Sequence, residues 1–185
     1  VTDRMWTGKQ TLMEQVEDAL KGGVTCVQLR EKELDEEAFL QEAMEMKALC
    51  EKYNVPFFIN DNVEIAVKCK ADGIHVGQED MAATQVRQKV GEEMMIGVSV
   101  HSVEEALEAV KDYADDKIYV IGGDTIYHQF LPYCNLAHVT KIDHAYEADA
   151  FFPNLDEMPE WVVTGESDEQ TYFDLEYQFV RYEKK

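Results

Sequence analysis

Apolar and polar residues alternate in two periods along the first two-thirds of the chain. Thr11 to Lys21 reads as a helix stopped by Gly22-Gly23. Val24 to Leu29 is a short β-rich run. Asp35 to Tyr53 is a long amphipathic helix, with Phe39, Leu40, Ala43 and Met46 at helical spacing. Val55 to Ile59 follows as a buried type of strand, then a short helix from Val63 to Cys69 and a strand from Gly73 to Gly77. Ala82 to Val90 is helical and Met94 to Val100 extended. Ser102 to Tyr113 is a further helix, with Ser102 as N-cap and Glu105 three residues on to complete a capping box. This alternation predicts an α/β fold of parallel βα units, either a partial TIM-type barrel or an open sheet.

The pattern changes near Asp115-Asp116. Lys117 to Ile121 reads as one more buried strand, followed by Gly122-Gly123, a helix from Asp124 to about Tyr133 and a strand from Leu136 to Ile142. Counting these and a stub at Val1 gives seven parallel strands. Thereafter helices cease. Tyr146 to Pro153, Trp161 to Ser167 and Tyr172 to Tyr182 are extended in pattern, and the last two predict a C-terminal antiparallel hairpin. The start, Val1-Thr2-Asp3 without a Met, reads as a strand end whose earlier residues are trimmed.

Composition narrows the function classes. The chain has 185 residues, 45% of them hydrophobic, enough for a sizeable core. Its 17 basic and 38 acidic residues give a net charge of −21. That excludes a general nucleic-acid binder or a basic membrane-surface module, both of which need a positive face. An anionic ligand must therefore meet a local cluster of cations or a metal. Cys26, Cys50, Cys69 and Cys134 show no C-x-x-C spacing and read as reduced, mostly core thiols of a cytoplasmic protein.

Polar residues recur just past successive strand ends: Asp3; Gln28, Arg30 and Lys32; Asn60 and Asp61; His75, Gln78 and Asp80; Ser99 and His101. Ligands bind at that edge of parallel α/β sheets. Asp61 and Asp80 are two carboxylates able to share a hard cation, since Mg²⁺ takes one or two carboxylates together with waters and phosphate oxygens. Arg30 and Lys32, two apart, point the same way if the strand persists and can neutralise a phosphate together. Asn60 can donate to the same group. The set describes a site for a small-molecule diphosphate.

Gln28-Leu29-Arg30-Glu31-Lys32, Ile59-Asn60-Asp61, the run Ala71 to Asp80, and Gly97-Val98-Ser99-Val100-His101 resemble, in order and spacing, the motifs of thiamine-phosphate synthase. The resemblance covers about residues 1 to 114. It implies a (β/α)8-type barrel that joins a hydroxymethylpyrimidine diphosphate to a thiazole phosphate and releases pyrophosphate. It further implies Mg²⁺ on Asp61 and Asp80, and the diphosphate on Arg30, Lys32 and Asn60. Gln28 and Ser99 are implied at the pyrimidine, with His75 nearby, and Arg30, Lys32 and Ser99 at the catalytic step.

The remainder departs from that family. Val120 to Tyr127, Phe130-Leu131-Pro132, Val139 to Asp143, Asp149 to Pro153 and the closing Tyr177 to Lys185 resemble the C-terminal part of dihydrofolate reductase, over about residues 117 to 185. That resemblance implies NADPH near Ile121, Gly122, Gly123 and Tyr127, with Thr140 on the pterin side. It lacks the reductase's N-terminal half. The expectation is thus a composite of residues 1–116 and 117–185, engineered or recombined, impaired or inactive in either chemistry. An unfinished sheet edge makes a homodimer the expected partner state.

Overall fold

Thr11 opens the first helix by a reciprocal cap. Its hydroxyl accepts the Glu14 N–H at 3.2 Å, and the Glu14 carboxylate accepts the Thr11 N–H at 2.7 Å. Asp35, Asn62 and Ser102 cap three later helices without the reciprocal bond, each accepting the amide three residues on. These starts set the element order in a computed structural model that describes residues 1–6, 8–77 and 81–185. The chain forms two compact units, Val1–Asp112 and Tyr113–Lys185.

The first unit runs α1 (Leu12–Lys21), β1 (Val27–Leu29), α2 (Glu36–Lys52), β2 (Phe57–Asn60), α3 (Val63–Lys68), β3 (Gly73–Val76), α4 (Ala83–Val90), β4 (Met95–Val98) and α5 (Val103–Val110). The four strands form one parallel sheet in the order β1-β2-β3-β4. Register pairs Leu29 with Ile59, Ile59 with Ile74 and Ile74 with Ile96. That row belongs to the helix-covered face. It packs on Leu12, Val16 and Leu20 of α1, Phe39, Ala43 and Met46 of α2, Ile65 of α3 and Val86 of α4.

The second unit holds α6 (Asp124–Phe130), β5 (Leu136–Ile142), β6 (Trp161–Glu166), β7 (Gln170–Tyr172) and β8 (Leu175–Lys184). Its sheet is antiparallel, in the order β5-β8-β6, with β7 also paired to β8 and a register irregularity between Val163 and Gly165. Leu155, Trp161, Val180 and Tyr182 form its small core. Asp156 accepts from Lys141 Nζ at 2.6 Å and Tyr182 Oη at 2.7 Å, and these bonds hold its carboxyl below the ordinary range.

The α/β class and the C-terminal antiparallel sheet are as the sequence pattern predicts, but the count of seven parallel strands is not. Residues 1–3 form no strand, although Thr2 N donates to the Gln28 carbonyl at 2.8 Å, as a strand neighbour does. Residues 117–121 join no ladder among the described residues, and Tyr119 and Ile121 are 75% and 88% exposed. A β-rich run becomes a strand only where a neighbour supplies its hydrogen bonds. Leu136–Ile142 is a strand, but it lies antiparallel to β8. Residues 146–153 stay irregular. On β8 the inward residues are Val180 and Tyr182, while Phe179 is 53% exposed. The capping box expected at Ser102 is displaced: Glu105 accepts from the His101 N–H at 2.9 Å instead of the N-cap amide. Among the described residues no helix is long and apolar enough to cross a membrane.

Candidate functional site

Alternation along a strand sends successive side chains to opposite faces. With Leu29, Ile59, Ile74 and Ile96 committed to the helices, Gln28, Phe58, Asn60, His75 and Gly97 fall on the other face. Register confirms the rows, since Gln28 pairs with Phe58, Asn60 with His75 and His75 with Gly97. Arg30 and Ser99 continue the same parity one residue past β1 and β4. Gln28, Asn60 and His75 are half-buried there, and Arg30 and Ser99 exposed. One face of the sheet, at its C-terminal edge, thus carries five of the residues singled out by sequence.

Asp61 has the wrong parity for this face, and its backbone corrects it. Its φ is +65°, a left-handed conformation that few non-glycine residues adopt, and its N–H donates to the His75 carbonyl at 2.7 Å. The carboxylate then meets Lys32 Nζ in an ion pair across the strand ends. Residues held in such a conformation recur at functional sites, which makes Asp61 a candidate.

Two further contacts organise the edge. His75 Nε2 and Ser99 Oγ share a hydrogen bond at 2.8 Å. His75 is therefore a half-buried, partnered side chain on the open face. Gly97 makes room for it, because a Cβ there would lie 2.9 Å from His75 Nδ1. Thr2 is buried, and its hydroxyl accepts the Arg30 N–H at 3.0 Å.

The structure also separates residues that the alternation rule joined. β1 ends at Leu29, so Arg30 and Lys32 are not carried on one strand. Lys32 is engaged with Asp61, and Arg30 has no ion pair among the described residues. Gln78 and Asp80 lie outside the described residues, so the second of the two expected carboxylates has no geometry here. Asp61 alone suits a hard cation that takes one or two carboxylates and completes its shell with water and phosphate oxygens. Among the described residues there is no group of three or more His, Cys, Asp or Glu side chains that could hold a metal.

Sequence reasoning missed Glu31. It stands inside the run Arg30-Glu31-Lys32-Glu33, which resembles a solvated charge stretch, yet its side chain is only 2% exposed. Flanking charges of both signs conceal such a residue, and nothing local in the run marks it out.

In the second unit, Ile121, Gly122, Gly123 and Tyr127 lead into and along α6, a helix of seven residues. A Cβ on Gly122 would come within 2.7 Å of the Ile126 side chain, so close packing at the helix start accounts for that glycine. Gly123 is the N-cap and has open space around it. Without a strand at 117–121, Ile121 is not presented at a sheet edge. Of the cysteines, Cys50 and Cys69 are core residues, and burial pushes the Cys50 thiol up to about 11. Cys26 is exposed and Cys134 half-buried.

A family profile described as "Thiamine monophosphate synthase" matches residues 1–147. A thiamine-phosphate synthase of Clostridium acetobutylicum is 46% identical over 114 residues, which is 62% of this chain and 54% of the relative. One from Clostridium botulinum is 50% identical over 115 residues, with the same shares. A solved thiamine phosphate pyrophosphorylase from Pyrococcus furiosus superposes with a TM-score of 0.54 at 35% identity, over 61% of this chain and 54% of that one. The chain spans about half the length of the curated relatives it matches. The synthase profile runs on through residue 147, across the first part of the segment expected from sequence to resemble a reductase, whereas the two pairwise alignments are close in length to the first unit alone.

Proposed function

This chain belongs to the thiamine monophosphate synthase family, and on that premise we propose that its first unit binds the diphosphate of a hydroxymethylpyrimidine diphosphate with Mg²⁺, as the half-site of a transferase. The observation that supports this most is the common face of Gln28, Arg30, Asn60, His75 and Ser99, closed at its edge by Lys32 and Asp61. Arg30 and Lys32 neutralise the diphosphate, and Asn60 donates a hydrogen bond to it. Stabilising charge as it develops on a leaving diphosphate is how such a site would ease breakage of the C–O bond at the pyrimidine methyl. Gln28 and Ser99 orient the pyrimidine, and His75 holds Ser99 in place. Mg²⁺ would rest on Asp61, with Asp80 as its second carboxylate, and supply further positive charge to the diphosphate oxygens. With Lys32 on Asp61 in the present arrangement, ligand entry exchanges that ion pair for contacts to phosphate.

Full turnover is not part of this reading. The groups that would bind a thiazole phosphate are not found in the sequence, and lost positioning costs orders of magnitude in rate. A separate proposal, carried by the sequence resemblance alone, is that residues 117–185 derive from a reductase-like fold and make the chain a composite. The second unit, which begins at Tyr113, has an antiparallel sheet with its own core, but such a sheet is not particular to a reductase, and the synthase profile runs into it as far as residue 147. Under that reading NADPH lies near Ile121, Gly122, Gly123 and Tyr127. A homodimer through the β4 edge is proposed on the same footing, because among the described residues β4 pairs only with β3.

Isothermal titration decides between these. Pyrophosphate should release heat only with Mg²⁺ present, and Arg30→Ala or Asp61→Ala should weaken binding at least tenfold. Heat that ignores both the metal and the substitutions would overturn the diphosphate site. Heat on adding NADPH would favour the reductase-like reading, and silence toward both ligands would favour an inactive composite.

A further inference from the structure

The loop that carries Arg30 and Lys32 is organised by one buried carboxylate. Glu31 Oε1 accepts three consecutive backbone amides, from Lys32 at 2.8 Å, Glu33 at 2.7 Å and Leu34 at 3.2 Å. Its other oxygen accepts from Arg4 Nε at 2.7 Å. Arg4 Nη2 continues to both oxygens of Glu42 on α2, at 2.7 and 2.8 Å. The chain of contacts therefore runs from loop 31–34 through residue 4 to the long helix. Thr2 adds a second tie, holding the Arg30 amide. A carboxylate hidden from water is costly unless its lone pairs are filled, and here at least four donors fill them.

We propose that Glu31 is a positioning residue, which through its three amide bonds and the Arg4–Glu42 bridge holds the 30–34 loop in the shape that directs Arg30 and Lys32 toward the diphosphate. This rests on the diphosphate reading above and deepens it. The geometry distinguishes Glu31 from its neighbours in the charge run. Lys32 and Glu33 are exposed, whereas the Glu31 side chain is enclosed by the loop it shapes. Burial alone would raise its carboxyl pKa, but the hydrogen bonds from Glu33 and Arg4 outweigh that and hold it below the ordinary value. The ionised form is thus favoured, with three amides on one oxygen and Arg4 on the other. Two residues apart in sequence, Arg30 and Lys32 would otherwise sit on a loop with no ladder to hold it, since β1 ends at Leu29.

The test uses the whole chain. Mg²⁺-dependent pyrophosphate binding is measured by titration in the unmodified protein, Glu31→Gln and Arg4→Lys. Amide hydrogen exchange is followed at residues 32–34 and, as a reference, in β2. Glutamine keeps the size but replaces one acceptor oxygen with a donor. We expect Glu31→Gln to weaken pyrophosphate at least tenfold and to speed exchange at 32–34 with β2 unchanged, a local signature that general destabilisation does not give. Arg4→Lys keeps the charge but loses the forked contact, and should weaken binding severalfold. It decides the matter if Glu31→Gln does not fold. Binding within twofold of the unmodified protein in a folded variant, or exchange at 32–34 that does not change, overturns the positioning role. Absence of pyrophosphate binding in the unmodified protein overturns the diphosphate reading instead.

Discussion

A methyl group on Gly97 would lie 2.9 Å from His75 Nδ1, and one on Gly73 would lie 2.1 Å from the Phe58 ring. Neither glycine has a positive φ, so what matters at both is close approach. Gly97→Ala should push His75 off Ser99 and destabilise the fold by about 1–3 kcal/mol, the usual cost of overpacking. Gly73→Ala should cost more, because its methyl group would overlap the Phe58 ring far more deeply than one on Gly97 overlaps the imidazole. Urea unfolding reads both, and a Gly97→Ala midpoint equal to that of the unmodified protein would refute the steric account. Residues such as Glu31, Gly97 and Thr2 were not legible as site-builders in the sequence. Their importance lies in what surrounds them, and a charged residue among charges or a glycine in a strand has no distinctive local pattern. Arg30, Asn60, Asp61 and Ser99 were legible, because each follows an apolar run at a strand end.

Asp72 shows how elements are tied at the opposite end of the sheet. It precedes β3, accepts from Lys47 Nζ of α2 at 3.0 and 2.9 Å, and accepts the Phe57 N–H at the start of β2 at 2.7 Å. Its own carbonyl accepts from Met95 N at the start of β4. Partial burial raises its carboxyl pKa, but Lys47 and the Phe57 amide outweigh this and hold it below the ordinary value. A depressed folded-state pKa means that the stabilisation is complete above the ordinary aspartate range and lost as pH falls through the folded value. Asp72→Asn should therefore flatten the acid limb of a stability-versus-pH curve below roughly pH 5. Asp72→Ala, which leaves the Phe57 amide without its acceptor, should cost about 1–3 kcal/mol at neutral pH. An acid limb unchanged by Asp72→Asn would show that other carboxylates govern it. At this level the helices and parallel strands of the first unit were legible almost to their caps, since periodicity and capping residues are local. The expected strand at 117–121 failed because its hydrogen bonds had to come from elsewhere.

Across the whole chain, 38 acidic residues against 17 basic ones leave a net charge of −21 that opposes compaction. Ion pairs such as Lys68–Glu36 and Lys89–Glu64 are largely exposed and offset little of it. Raising sodium chloride from about 10 mM to about 0.5 M should therefore raise the unfolding temperature, because salt shortens the reach of the like-charge repulsion. A temperature that falls with salt would mean that the ion pairs outweigh the excess charge. On the proposed diphosphate reading, an anionic ligand would have to find the small patch of Arg30 and Lys32 within a chain of strongly negative net charge.

The order of βα units, the approximate helix starts and the residues at each strand end follow from the sequence alone, because they depend on groups within a few positions of one another. So does the change of character after residue 115. The common face of Gln28, Asn60 and His75 could be assigned only once register was known, since a slip of one residue would send each side chain to the helices. The turning of Asp61 toward Lys32, the burial of Glu31 and the antiparallel course of β5 likewise depend on folding. Each joins groups at least 27 residues apart through hydrogen bonds or ion pairs, and no local pattern records which partners will meet.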